Sequence, residues 1–503
     1  MKRFQTFGIA SIVLLALVGL ASAQSQWSPL KSPLCSGNNP CFPAGVVTLL
    51  TDGTVLVHEE QDGGEANWFK LTPDAFGSYV NANWSQVSSI PSSFNYAPLY
   101  FGSQVIADGR MTVIGGEYNH DIPVWTTKGA IYDPVADTWT NIAPPSGWKT
   151  IGDAQSINLP DTTYMQANCC GLPPKWAYLN PSTLSWTSFV GGGKFDVFDE
   201  EGWNLLPDGK VLTVDAYVFQ YDASATNSEL YDPSSKTWSS AGSTGVQLWD
   251  SGCGNQSGAS FEVGPAVLRP DGSVFATGST NGCGPGHTAV YKTSNGKWKA
   301  GPDFPGQISI ADGPASIEPN GKVLTMGSVF FNPPATFFEW DGTNLTQIAG
   351  PPNAPNDAAF YGHLLPLPNG QILFTDFSPD VEVFTPSGTF KPSWAPQVIH
   401  VATNLKRGNT YTIEGHRLAG VSQGGAYGDD FQPNTNYALV RLTNLATGHV
   451  FYCRTHDPSS YAVQSNKKQS THFDVPTAAE TGLSTLEAVT NGIPSKAISV
   501  MVR

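Results

Sequence analysis

A short pattern recurs along most of this chain: an apolar strand-like segment, a two-residue turn, and a second strand-like segment. The turns are Asp-Gly or Asn-Gly, which supply the positive φ angles of two-residue hairpins. A weaker copy over residues 157–166 has Thr162 at the glycine position and stays in step with the others. The turn glycines are Gly53, Gly109, Gly209, Gly272, Gly321 and Gly370. This pattern predicts a chain of repeated β-hairpins.

Aromatic segments that end in Trp follow most of the hairpins and predict two outer strands for each repeat. Examples are YDPVADTW at 132–139 and YDPSSKTW at 231–238. Four strands repeating at a period of roughly 50 residues are typical of kelch-type propeller blades. Separate tandem hairpins are a poor alternative, because a lone hairpin cannot bury its face. We predict an all-β chain with a seven-bladed propeller over residues 24–394, its last blade completed by residues 26–33.

The hairpin pattern stops near residue 395, and shorter alternating strands follow. Segments such as TYTIEG, ALVRLTN and KAISVMV predict an Ig-like β-sandwich over residues 395–503. The composition agrees with this architecture. With 13% charged residues, 52 Gly and 39 Pro, the chain suits many short strands joined by turns rather than long helices.

The first residues have the pattern of a secretory signal peptide. Lys2 and Arg3 precede an apolar run over residues 9–20, and a small-residue Ala-Ser-Ala site precedes Gln24. We predict a signal peptide over residues 1–23. No second apolar run of spanning length follows, so we expect a mature protein without a membrane span, located outside the cell or in a periplasm.

Charge and cysteine content narrow the partners and the compartment. The net charge of -15 opposes binding to nucleic acid, and we expect a monomer that binds none. Seven cysteines in an exported chain predict disulfides with one thiol left over. Cys35 is expected to pair with Cys41, because the two close a short loop. Cys169–Cys170 and Cys253–Cys283 are further candidate pairs, and Cys453 is the expected buried free thiol.

The chain resembles galactose oxidase and its kelch-propeller relatives. The resemblance rests on the blades, on YFGSQVIADGRMTVIGGEY at 100–118, and on 412–444, which is similar to the family's early-set domain. In that family, two tyrosines and two histidines hold copper, and one tyrosine is crosslinked to a cysteine. The resemblance places Tyr100 at the crosslinked tyrosine and Tyr118 at the aromatic residue that stacks over it.

Other family positions differ in this sequence. Ala44 stands where the crosslinking cysteine is expected, and Phe360-Tyr361 replaces the Tyr-His pair of the last blade. His363 comes two residues late, and His456 is the candidate for the histidine of the C-terminal domain. We therefore expect no intact radical-copper centre, although Tyr100, Tyr361, His363 and His456 form a possible variant ligand set.

A count of nine residues back from each turn predicts which side chains ring the mouth of the central channel. The positions are Ala44, Tyr100, Asp153, Glu200, Val263, Asp312 and Tyr361, with Glu201 and His363 beside them. Loops after the second strands, which carry Glu117 and His120, open on the same face. The mouth is therefore predicted to be acidic and aromatic, although acids at strand entries also serve to cap turns.

This mouth suggests several kinds of chemistry. Tyr100, Asp153, Glu200 and Asp312 are candidate catalytic residues, because converging carboxylates can act as acid and base. Carboxylates also suit calcium, whereas histidines with tyrosines suit copper. The candidate ligand-binding residues are Tyr118, His120, Glu201 and Tyr361.

These features favour recognition of an extracellular carbohydrate or polyol at the mouth. The alternatives are a copper-dependent alcohol or carbohydrate oxidase with variant ligands, and a non-catalytic adhesion or protein-interaction module.

Overall fold

The computed structural model describes residues 25–61, 63–217, 227–254, 258–279 and 282–503. The predicted signal peptide lies outside the described residues. Within these ranges, no helix has the length and apolar character that crossing a membrane requires. Nearly all regular structure is β, as the hairpin pattern predicts.

Seven successive sheets of four main strands make up the first part of the described chain. The first three consist of Ala44–Leu49, Val55–Glu59, Trp68–Thr72 and Asn83–Gln86; of Gly102–Val105, Met111–Ile114, Gly129–Asp133 and Thr138–Asn141; and of Ser156–Asn158, Tyr164–Asn168, Lys175–Asn180 and Ser185–Val190. The fourth and fifth consist of Asn204–Leu205, Val211–Val214, Ser228–Asp232 and Thr237–Ser240; and of Ala266–Leu268, Ser273–Thr277, Thr288–Lys292 and Lys297–Ala300. The sixth has Ala315–Ile317, Val323–Val329, Asn332–Trp340 and Leu345–Ile348, and the seventh has His363–Pro366, Ile372–Thr375, Glu382–Thr385 and Gln26–Pro29.

A few short elements connect these sheets. They are the strands Pro98–Leu99, Tyr118–Asn119 and Ile122–Pro123, and the 3-10 turns Ser92–Phe94, Ala354–Asn356, Ala359–Tyr361 and Pro392–Trp394.

The turn chemistry explains the hairpins. Gly109 has a φ of 83°, and Thr162 in the weaker copy adopts a similar φ of 73°. The Thr162 turn therefore keeps the glycine conformation at some cost in strain, which accounts for an in-step repeat without its glycine.

The first strand closes the ring. Gln26–Pro29 pairs antiparallel with Glu382–Thr385, placing Trp27 opposite Phe384. The Trp27 ring packs against Phe337 of the preceding sheet, and its Nε1 donates to the carbonyl oxygen of Ala349. The innermost strand of the last sheet also packs on that of the first. The sheets therefore form a closed propeller, with the N-terminal segment supplying the missing outer strand.

The C-terminal domain is a β-structure with its own apolar core. Its strands are Gln397–Val401, Asn404–Leu405, Thr410–His416, Leu439–Asn444, Val450–His456, Lys468–Asp474, Gly482–Thr490, Ile493–Pro494 and Ile498–Val502. The core includes Ile413, Leu442, Phe473 and Leu486 together with the free thiol of Cys453, which is buried as expected.

One segment of this domain leaves it and enters the propeller. Residues 418–438, between Thr410–His416 and Leu439–Asn444, are buried throughout. Within them, the short strand Gly425–Ala426 pairs with Ala315–Ile317, the innermost strand of the sixth sheet. Phe431 bridges to Ser103 of the second sheet, and the Asn434 amide donates to Gln104. We call residues 418–438 the axial segment, because it contacts innermost strands of more than one blade.

Candidate acidic site at the channel mouth

A cavity of about 260 Å³ opens at the end of the channel where the innermost strands begin. Seven carboxylates and four aromatic rings line it. The lining residues are Glu117, Asp153, Glu200, Glu262, Asp312, Asp429, Asp430, Tyr100, Tyr118, Phe331 and Phe360. No lysine, arginine or histidine of the described residues is among them. The structure thus brings together the four residues predicted as catalytic, along with Tyr118.

Unusual backbone geometry directs several of these side chains to the axis. Tyr100, Glu200 and Asp312 have φ angles of 52°, 61° and 46°, in the left-handed region that such residues rarely adopt. They occupy equivalent positions, nine residues before the turn residue of their blades. A left-handed residue other than glycine costs of order 1–3 kcal/mol, and such strain concentrates at functional sites.

The carboxylates form two overlapping groups. Ligand atoms of Asp153, Glu200 and Asp429 lie within 4.8 Å of one another, and those of Glu200, Glu262 and Asp312 do the same. Glu200 belongs to both groups. We call these five residues the open cluster, because they face the cavity.

Burial dominates the electrostatics of the open cluster. Burial, followed by repulsion from Asp429, raises the pKa of both Asp153 and Glu200 well above the usual values. Burial raises the pKa of Glu262 to about 8, although a hydrogen bond from Ser260 opposes the shift. In the described structure Asp153 Oδ1, Asp312 Oδ1 and Asp429 Oδ2 are buried without a hydrogen-bond partner. The cluster lacks positive charge and leaves oxygen atoms unsatisfied.

The axial segment supplies part of this site. The backbone N–H of Asp430 donates to Asp429 Oδ1 at 2.6 Å, which fixes the Asp429 carboxylate. Gly428 passes so close to Asp312 that an added Cβ would lie 2.3 Å from Asp312 Oδ1. A glycine is therefore needed for the segment to bring its carboxylates against the blade strands.

A second acidic cluster lies next to the first, and Glu201, which was predicted to bind ligand, belongs to it and not to the cavity lining. Glu201 is fully buried, and its Oε1 lies 2.9 Å from Nζ of Lys194. Its Oε2 accepts a hydrogen bond from the Thr213 hydroxyl. Lys194 also contacts Asp196, Asp215 and Glu229. We call this set the closed cluster.

The four residues of the possible copper ligand set do not all lie together. His456 lies opposite His472 on neighbouring strands of the C-terminal domain. The backbone N–H of the next residue, Asp457, donates to the carbonyl oxygen of Ala107 in the hairpin turn of the second blade. This turn is at the opposite end of the blade from Tyr100. The His363 ring is stacked on Tyr427, with centroids 5.2 Å apart, and burial lowers the pKa of His363 to about 4.

Tyr361 and His120 also lie outside the acidic cavity. Tyr361 lines a neighbouring cavity with Asp357, Asp376 and Phe377, and the Phe377 ring packs against Tyr100, Tyr361 and His363. His120 is exposed on a turn, where its N–H donates to the carbonyl of Ala97. Copper sites rely on imidazole, and the described cavity offers only carboxylates and phenol oxygens. These residues do not fit the family's copper centre.

Three acidic residues of the cavity lining were not predicted. Glu262 immediately precedes Val263, the position that the count selected. Asp429 and Asp430 lie in a long, polar, glycine-rich connection between two predicted sandwich strands. A loop of that length inside a compact domain is itself a signal of function.

The predicted disulfides are present, and one lies beside the site. Cys35–Cys41, Cys253–Cys283 and the vicinal pair Cys169–Cys170 are bonded. Cys170 Sγ lies 3.7 Å from Asp199 Oδ1, next to Glu200 in sequence. Cys169 packs against Gly152, which precedes Asp153. The vicinal disulfide therefore supports the two loops that carry these carboxylates.

Comparisons with known proteins identify the fold. No family model matches the chain. A kelch-like protein, terF of Aspergillus terreus, is 28% identical over 131 residues, which is 26% of this chain and 26% of that protein. A fungal alcohol oxidase of the AA5 family, solved in complex with copper, superposes with a TM-score of 0.51 at 13% identity, covering 96% of this chain and 99% of that one. The extracellular domain of a B. thetaiotaomicron two-component system matches with a TM-score of 0.46 at 12% identity, covering 96% and 59%. This chain has the fold of the galactose-oxidase-like kelch propellers.

Proposed function

Within this fold, we propose that the protein recognises an extracellular carbohydrate or related polyol in the acidic cavity at the channel mouth. The observation that carries the proposal is the lining of that cavity, where seven carboxylates face four aromatic rings. Carboxylates accept hydrogen bonds from hydroxyl groups, and aromatic rings pack against the apolar C–H faces of sugars.

The size and shape of the cavity define the ligand further. Its volume of about 260 Å³ is small beside the 300–1,000 Å³ typical of drug-sized ligands. Two aromatic pairs form its sides, Tyr100 with Tyr118 and Phe331 with Phe360, each with ring centroids 6.1 Å apart. We infer that one sugar ring or one small polyol enters, as the terminal unit of a larger glycan or as a free molecule.

The disulfides support an oxidising location. Such bonds persist mainly outside the cytosol, and this chain has three. Together with the predicted signal peptide, they lead us to propose export and action as a monomer on extracellular ligands.

A copper alcohol oxidase is the second candidate, favoured by the structural match to an AA5 enzyme. The donor set argues against it, since His456 and Tyr361 lie apart from the cavity. We expect no stoichiometric copper in the mature protein after loading and removal of loose metal. Stoichiometric copper, with alcohol oxidation that Tyr100→Phe abolishes, would establish the oxidase instead.

Binding of the mature protein to a panel of glycans and polyols tests the recognition proposal, with isothermal titration calorimetry on any ligand found. Phe331→Ala removes one aromatic ring of the lining without touching a carboxylate, and we expect it to weaken binding about tenfold, or about 1.4 kcal/mol. Trp394→Ala, at the boundary with the C-terminal domain, is the control. If no glycan or polyol binds, but a protein partner does, the adhesion hypothesis replaces this one.

A further inference from the structure

We propose that the open cluster binds a calcium-type divalent cation through Asp153, Glu200 and Asp429, with Glu262 and Asp312 completing its oxygen shell. We further infer that the bound cation offers its remaining positions to the hydroxyl groups of the ligand, a second part that rests on the proposed function.

The spacing of the oxygens fits one ion. Calcium–oxygen distances are about 2.3–2.6 Å, so oxygens on opposite sides of an ion lie up to about 5 Å apart. The ligand atoms of each three-residue group lie within 4.8 Å of one another. Because Glu200 is common to both groups, an ion beside it lies next to carboxylates from four blades and from the axial segment.

The unsatisfied oxygens are an independent indication of a missing partner. Asp153 is only 6% exposed and Asp429 only 2% exposed, yet Asp153 Oδ1 and Asp429 Oδ2 have no hydrogen-bond partner among the described residues. Both residues line the cavity. Leaving a buried polar atom unpaired costs about 1–3 kcal/mol, more for a charged group. A cation in the cavity would satisfy both oxygens at once.

The backbone holds the carboxylates in place despite its strain. Glu200 and Asp312 keep left-handed conformations with φ of 61° and 46°. The strained backbone and like-charge repulsion both oppose this arrangement, so it gains stability from an opposite charge.

The donor chemistry selects the ion. All five ligands are carboxylates, without a thiol or an imidazole, which suits hard cations rather than copper or zinc. Calcium accepts six to eight oxygens in irregular geometry, whereas magnesium demands a near-ideal octahedron. A shell drawn from several blades and a separate segment therefore favours calcium.

The test is calorimetric titration of CaCl₂, and separately of MgCl₂, into the metal-free mature protein. We expect one site for calcium that is tighter than any for magnesium. Glu200→Gln should weaken calcium binding by about 100-fold or more, because it removes the ligand common to both groups. Asp429→Asn, from the axial segment, is the second variant. Glu318→Gln is the matched control: Glu318 is a buried acid with its pKa raised to about 8, at the hairpin-turn end of its blade.

The same preparations, titrated with the polyol or glycan ligand in calcium or in EDTA, separate the two proposals. Ligand binding lost in EDTA supports both. Calcium binding with no polyol ligand keeps the cation site and overturns the proposed function. Polyol binding of equal strength in EDTA keeps the proposed function and overturns the role of the cation in ligand binding. Two results would overturn the cation site: no calcium binding to the wild type, or calcium binding by Glu200→Gln and Asp429→Asn as tight as that of the wild type. The carboxyl groups would then be stabilised by shared protons.

Discussion

The open and closed clusters lie side by side, and consecutive residues, Glu200 and Glu201, divide between them. In the closed cluster, Lys194 Nζ lies 2.9 Å from Glu201 and 2.7 Å from Glu229, and its side chain is fully buried. Its ammonium also lies over the rings of Phe198 and Trp238. The open cluster gathers five carboxylates with no described cation beside them.

The difference lies in where the opposing charge comes from. The closed cluster contains one ammonium of its own, which lies among its four carboxylates. The open cluster faces a cavity and has no lysine, so its positive charge must come from protons or from solvent. A buried ion pair with its partner is a structural element, whereas a carboxylate group without one is suited to binding.

The largest effect should come from removing the charge of the closed cluster. Lys194→Met leaves four buried carboxylates without their ammonium, and we expect a loss of about 3–5 kcal/mol in the free energy of unfolding. Urea unfolding of the mature protein measures it. Adding Glu201→Gln to this variant should recover part of the loss, because it removes one uncompensated charge. An unchanged unfolding midpoint for Lys194→Met would show that the Lys194 ammonium does not stabilise the closed cluster.

Calcium should supply to the open cluster the positive charge that Lys194 supplies to the closed cluster. At a calcium concentration 100 times the dissociation constant, we expect about 2.7 kcal/mol of stabilisation over EDTA. Differential scanning calorimetry in the two buffers would show the rise in Tm. Glu200→Gln should abolish this rise, and Glu318→Gln should retain it. A rise that survives in Glu200→Gln would place the ion elsewhere.

The adjacent glutamates should respond in opposite directions when each is changed to glutamine in EDTA. Glu201→Gln loses hydrogen bonds to a buried ammonium and should cost about 1.5–3 kcal/mol. Glu200→Gln relieves like-charge repulsion and should leave stability unchanged or raise it by up to about 1 kcal/mol. Paired urea titrations compare them directly. Equal losses would show that the two clusters are electrostatically equivalent.

The smallest effect should come from the vicinal disulfide, which supports only the open cluster. In a Cys169→Ser, Cys170→Ser double variant, the loops carrying Asp153 and Glu200 lose a rigid packing partner, and calcium affinity should fall about threefold, or about 0.7 kcal/mol. Calorimetry measures this change. An affinity equal to that of the wild type would limit the disulfide to a local structural role.

Local turn chemistry made much of the fold predictable from sequence. The hairpin turns, the Trp-ending outer strands and the closing strand near Trp27 all follow from short-range patterns. The count of nine residues brought Tyr100, Asp153, Glu200 and Asp312 to one cavity, because blades repeat the same strand geometry.

Long-range placement was not predictable in the same way. Glu201 directly follows Glu200 in sequence, but its side chain contacts Lys194 and does not line the cavity. Asp429 and Asp430 lie at the mouth because the axial segment, which connects two strands of the C-terminal domain, packs into the propeller. No local sequence pattern predicts where this segment packs. His456 satisfied a resemblance in sequence but lies at the other end of the blades, since the histidine sits on a strand and not on the axial segment.

The axial segment also links the site to the order in which the chain is made. All seven blades precede it, so they can leave the ribosome before Asp429 and Asp430 exist. A polypeptide cut short before Arg417 would retain the propeller strands yet lack one wall of the cavity. Occupancy of the mouth therefore reports that synthesis reached the C-terminal domain and that this domain docked, which makes ligand binding an assay for intact, correctly assembled protein.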